Sequence, residues 1–126
     1  VVRTEIQGFI SNRLQVSLLR EAMATVENGE ATASEVDELV RDGFGRQFAT
    51  TGVFGSFTSE NSSITHSTLV DAFTELNNDQ KLPQLLLNKI ESGDLGVKTG
   101  KGFYEWTPES VEAWRANMAN SLLHMD

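Results

Sequence analysis

Residues 5–28 constrain this chain more than any other stretch. Ile6, Ile10, Leu14, Leu18, Ala22 and Val26 recur every four residues, which keeps neighbours on one face of a helix. Phe9, Val16, Leu19 and Met23 form a second row beside the first, so the apolar arc far exceeds the stripe of an ordinary surface helix. Such a helix needs cover on most sides. With 126 residues in all, about one domain, the spacing predicts a central first helix that shares its apolar surface with a partner subunit.

The rest of the chain also reads as helices. Gly29 is a plausible stop for the first, because glycine tolerates the left-handed conformation just past a helix end. Thr32 or Ser34 can cap a short helix running through Val36, Leu39 and Val40. Residues 43–63 hold Gly43, Gly45, Gly52 and Gly55 among Thr, Ser and Asn, with no persistent period, and are expected to form an ordered loop. Helical spacing returns over 64–77 with Ile64, Leu69, Phe73 and Leu76, and Pro83 suits the first turn of a helix through Leu86, Leu87 and Ile90. The run ESGDLGVKTGKGFYEW is too rich in glycine for a helix, and Thr107-Pro108-Glu109 then opens a last helix marked by Val111, Trp114, Met118, Leu122 and Met125. No alternating strand of convincing length is present, so the expected fold is all-α, with about five main helices.

Composition narrows the function classes. The net charge of −8 argues against nucleic acid or an anionic membrane as a nonspecific partner, and the acid is no tail, since each half holds five basic and nine acidic side chains. Zero cysteine excludes disulfides, thiolate catalysis and cysteine-ligated zinc, and fits a reducing cytoplasm. No apolar run approaches a membrane span, and no signal peptide is visible. The opening at Val1 suggests a piece of something longer.

Few motifs carry chemistry. KTGKG fails as a phosphate loop because Lys101 is followed by Gly102, and the glycines at 43 and 45 follow a helix where a dinucleotide site requires a strand. His66 and His124 read as ordinary surface residues, and no metal site is expected. Asn12 falls between Leu19 and Met23 on the apolar arc, at about 100° per residue, where a carboxamide needs partners. It either satisfies a neighbouring polar group or donates to a substrate oxygen at the edge of a cleft.

Two runs, GFISNRLQVSLLREAMATVENGEATASEVD at 8–37 and LGVKTGKGFYEW at 95–106, resemble the C-terminal domain of the 3-hydroxyacyl-CoA dehydrogenase family. The resemblance implies a fold like the C-terminal domain of 6-phosphogluconate dehydrogenase, with residues 1–126 forming a single helical domain. It implies that a preceding Rossmann domain, absent from this chain, binds NAD and supplies a catalytic histidine. The helical domain would close the substrate cleft and build a homodimer, and would be inactive alone. The family's G-F-[I/V]-x-N-R-L pattern places its substrate-polarising asparagine on Asn12, which makes Asn12 the catalytic candidate here.

Departures from the family bear on the substrate. Gly52-Val53-Phe54-Gly55 stands where the family usually reads G-P-[FL]-E, and Thr58 to Ser63 replace a segment rich in Asp, Leu and Gly. Gly43-Phe44-Gly45-Arg46-Gln47 resembles the G-x-G-x-R of relatives handling sugar acids or carnitine, with Gln47 at the arginine position and Arg46 displaced by one. Arg46 and Gln47 are therefore the substrate-binding candidates. The resemblance implies an NAD-dependent dehydrogenase of fatty-acid metabolism acting on 3-hydroxyacyl-CoA. The alternatives are a relative acting on L-gulonate, carnitine or a pyridine carboxylate of vitamin B6 breakdown, and a non-catalytic structural protein of the lens-crystallin kind.

Overall fold

The computed structural model describes residues 4–57 and 66–123, and every element is helical or a turn apart from two isolated bridges. The all-α expectation is met. The expectations for Thr58 to Ser63, Ile64, His124 and Met125 fall outside the described residues. The chain divides into two units, Val1–Pro83 and Gln84–Asp126.

The first unit begins with α1 (Thr4–Glu27). Gly29 ends it at φ 75°, letting its own N–H donate to Val26 O at 3.0 Å while the Glu30 N–H donates to Thr25 O at 3.0 Å. This pair of bonds satisfies carbonyls that a helix end would otherwise leave open. Thr32, and not Ser34, caps α2 (Ala33–Leu39): its hydroxyl accepts from the Glu35 N–H at 3.1 Å, and the Glu35 carboxylate accepts from the Thr32 N–H at 3.1 Å. A single π-turn, Val40–Phe44, joins α2 to α3 (Gly45–Phe57).

Helix α3 corrects the loop expected from 43 onward. Phe44 and Phe48 stack edge to face across one turn, with ring centroids 5.5 Å apart, which supports the helix, while Thr51 turns its hydroxyl back to Gln47 O at 3.1 Å, a bond that favours a bend next to Gly52. Its glycines are used as joints. Gly52 breaks α3 at φ 72°, ψ 179°, a conformation that other residues adopt only under strain. Counting the jointed stretch 33–57 as one body, the described residues hold five helical bodies.

Helix α4 (His66–Glu75) completes the first unit, and the turn after it is fastened to α1. The Glu21 carboxylate accepts from the Asn77 N–H at 2.8 Å, and Asn77 in turn accepts from the Asp79 N–H at 3.1 Å.

The second unit starts with α5 (Gln84–Ser92), closed by Gly93 at φ 76°. The glycine-rich run then folds on itself through antiparallel bridges between Gly96 and Lys101 and between Lys101 and Glu105, with a 3-10 turn at Val97–Thr99. Lys89 of α5 holds this loop: its ammonium donates to Gly102 O at 2.9 Å and lies 5.0 Å from the Phe103 ring centre. Helix α6 (Pro108–Leu123) is capped by Thr107, whose hydroxyl accepts from the Ser110 N–H at 3.0 Å. Trp106 packs edge to face against both Tyr104 and Trp114.

Met23, at 6% exposure, is the one buried apolar side chain among the described residues. Most of the apolar arc of α1 stands open, with Phe9 at 65% and Leu14 at 62%, and so do Phe54 at 85% and Phe73 at 70%. Helix α1 is the element that both α2 and the turn after α4 contact, and among the described residues most of its apolar arc stays open.

Candidate functional site

Asn12 lies on α1 and lines a groove of about 620 Å³ whose far wall comes from α2 and the π-turn. Gln15 and Leu19 share the α1 wall, while Val36, Asp37 and Arg41 stand opposite. The α1 side chains project there because positions 12, 15 and 19 are three and four residues apart, hence on one face. The groove is apolar along its length and polar at Asn12, Gln15, Asp37 and Arg41. Arg41 is drawn toward its exposed neighbour Asp42 at 3.7 Å, a contact that solvent weakens to little energetic value.

Asn12 is itself exposed, so its carboxamide is not held inside a core of this chain. A carboxamide offers two N–H donors and a carbonyl acceptor at fixed geometry without changing its charge. It can polarise an oxygen, and it cannot act as a base. No histidine lines the groove among its described residues.

Arg46 and Gln47 sit in the first turn of α3 and are exposed. They do not line the groove beside Asn12. Both belong to the first unit, and the π-turn that leads into α3 is also the end of the groove's far wall. The sequence reading missed this turn, though the two glycines flanking Phe44 were its signal.

The first unit also has a depression of about 360 Å³ lined by Glu21, Asn28, Glu30, Glu75 and Asn77. Glu21 is engaged by the Asn77 N–H there, which makes the depression part of the fastening between α1 and the turn after α4. Among the described residues no group of three or more His, Asp or Glu side chains is placed to hold a metal ion.

The described residues do not fit a dinucleotide cofactor. Its pyrophosphate needs free backbone N–H groups at a glycine turn between a strand and a helix. In the glycine-rich run those groups face inward: the Gly96 N–H donates to Lys101 O at 2.8 Å, that of Gly102 to Tyr104 O at 2.8 Å, and that of Trp106 to Gly100 O at 2.7 Å. No helix among the described residues is long and apolar enough to cross a membrane.

Residues 8–106 match the 3-hydroxyacyl-CoA dehydrogenase C-terminal domain, and the chain belongs to that family. Among its relatives is the 5-formyl-3-hydroxy-2-methylpyridine 4-carboxylate 5-dehydrogenase of Mesorhizobium japonicum, 30% identical over 123 residues, covering 98% of this chain and 40% of the relative. The L-carnitine dehydrogenase of Streptomyces griseus is 47% identical over 53 residues, 42% of this chain and 16% of that protein. A crystal structure of a 5-formyl-3-hydroxy-2-methylpyridine 4-carboxylic acid 5-dehydrogenase, described as an NAD+-dependent dismutase, superposes with a TM-score of 0.85 at 30% identity over 91% of this chain and 37% of that one. The chain thus spans about 40% of the length of the first of these relatives.

Proposed function

We propose that these residues act as the helical C-terminal domain of an NAD-dependent dehydrogenase that moves hydride between NAD and a small hydroxyl- or aldehyde-bearing substrate. NAD and the catalytic base are assigned to a domain preceding residue 1, because the described residues do not fit the cofactor. The chain alone is inactive in this reading. Asn12 donates an N–H to the substrate oxygen whose charge changes as hydride moves, and the Arg46–Gln47 pair meets the substrate's far end.

One observation carries the reading: a relative named for a pyridine carboxylate matches 98% of the chain, and Asn12 lines an open groove. The departures at Gly52–Gly55 favour a substrate without coenzyme A, because that segment forms the break in α3 where an acyl-CoA enzyme of the family has proline and glutamate. A homodimer built on the open face of α1 and a cytoplasmic setting complete the proposal, supported by the bare apolar arc and the lack of cysteine.

The test follows NADH absorbance in the full-length protein with three probes: 5-formyl-3-hydroxy-2-methylpyridine 4-carboxylate, L-carnitine and a 3-hydroxyacyl-CoA. Turnover of the first or second, with the thioester at least about tenfold poorer in kcat/KM, is expected. A preference for the thioester removes the non-CoA assignment, and no turnover of any probe together with no NAD binding removes the enzyme.

A further inference from the structure

The corner that joins the two walls of the Asn12 groove, residues 28–32, carries a reactive pair. Asn28 is the one asparagine of the chain that a glycine follows. The backbone nitrogen after an asparagine can attack its side-chain carbonyl carbon, and a glycine there removes the side chain that would hinder ring closure. Both residues are exposed, and no atom stands within 4 Å of where a side chain on Gly29 would begin. The ring has room.

What restrains the reaction is the end of α1. The Gly29 N–H, which must lose its proton, donates to Val26 O at 3.0 Å, and the Glu30 N–H beyond it donates to Thr25 O at 3.0 Å. These bonds close the last turn of a helix, where local opening costs far less than unfolding the whole chain. When that turn frays, the Gly29 nitrogen is released. The group that must leave is weakly held, since Asn28 Nδ2 meets Glu30 Oε1 only at 3.5 Å.

We propose that Asn28 is a site of spontaneous deamidation gated by fraying of the α1 end, and that the isoaspartate formed there lengthens the joint between the groove's two walls. Gly29 N gives its proton to solvent base and bonds to Asn28 Cγ, and the side-chain nitrogen takes a proton and departs as ammonia, leaving a succinimide. Water then opens the ring. Attack at Cγ breaks its bond to Gly29 N and gives aspartate. Attack at the Asn28 backbone carbonyl breaks the other carbon–nitrogen bond and gives isoaspartate, whose main chain runs through Cβ and Cγ and is longer by one atom. Either product sets a carboxylate beside Glu21, Glu30 and Glu75, which line the same depression, so the corner also gains like-charge repulsion.

The experiment holds the full-length protein at mildly alkaline pH, folded and in urea, and follows its asparagines by peptide mapping. In the folded protein Asn28 should convert before the exposed Asn78 and Asn120, and within about a hundredfold of its own rate in urea. A reaction that waited for global unfolding would be slower than in urea by about 10³ or more. Asn28→Gln, which must close a larger ring, should keep the corner unmodified. The fraction carrying isoaspartate at 28 should show faster amide exchange at Glu35 and Val36, whose N–H groups bond to Thr32, than Asn28→Gln aged beside it. Conversion slower than the hundredfold limit, or Asn78 or Asn120 converting first, overturns the site. Unchanged exchange at Glu35 and Val36 in the modified fraction overturns the effect on the joint.

Discussion

Replacing Leu14 with aspartate tests what covers α1. Leu14 is 62% exposed in this chain, and full burial of a leucine is worth about 1.5–3 kcal/mol, so covering the open part contributes about 1–2 kcal/mol. In a two-fold interface the same residue is buried in both copies, which doubles the figure to about 2–4 kcal/mol. At about 1.4 kcal/mol per factor of ten, dimer dissociation should strengthen by about one and a half to three decades, before the cost of desolvating two carboxylates. Sedimentation of the full-length protein from nanomolar to micromolar concentration measures this, with the concentration dependence of Tm as a second reading. Glu38→Gln, an exposed change on α2, serves as the control. A dissociation constant within threefold of the parent would refute the reasoning. So would a Tm drop with no change in association, because the cover would then be another part of the same protein.

Three further outcomes are expected. Asn12→Ala in the full-length enzyme should lower kcat/KM by about 10²–10³ with little loss of Tm, and a stably folded Asn12→Asp enzyme with near-normal turnover would remove Asn12 from the mechanism, since a carboxylate cannot donate. Thr32→Ala should cost about 1 kcal/mol in denaturant unfolding, because it removes the hydroxyl that accepts from Glu35 and opens the capping box; an unchanged midpoint would show that α2 is held by other contacts. Lys89→Met keeps the aliphatic stem but loses the bond to Gly102 O and the contact with Phe103, and should cost about 1–3 kcal/mol, read by chemical denaturation and by faster amide exchange within 96–106.

What could be read from the sequence was whatever local chemistry decides. Gly29 ended α1 and Thr107 opened α6 as expected, because a left-handed glycine and a capping hydroxyl act within a few residues. The Thr32–Ser34 ambiguity needed coordinates, since both hydroxyls are one or two residues from a helix start. Helix α3 was not legible: Thr50, Thr51, Gly52 and Gly55 lower helix propensity, and the Phe44–Phe48 pair that counters them is a single four-residue interval. The apolar arc of α1 was legible, including that it exceeds what one small domain covers, but periodicity reports that a face wants cover and not what supplies it. Asn12 lines a groove that Arg46 and Gln47 do not line, and the turn preceding them carries no periodic signal.

The near-absence of buried side chains alters how substitutions in this chain should be interpreted. In a self-contained domain, exposure marks the positions where sequence can drift freely. Here Leu14, Leu39 and Phe73 stand open yet are the kind of side chain that only cover would retain. A saturation screen scored on the whole protein would find them as intolerant as an interior, while the solvent-facing Glu27 to Glu30 corner would accept most replacements except at Gly29. Intolerance at such bare positions in that screen would record the shape of a neighbouring surface and outline a mould of what the chain fits against.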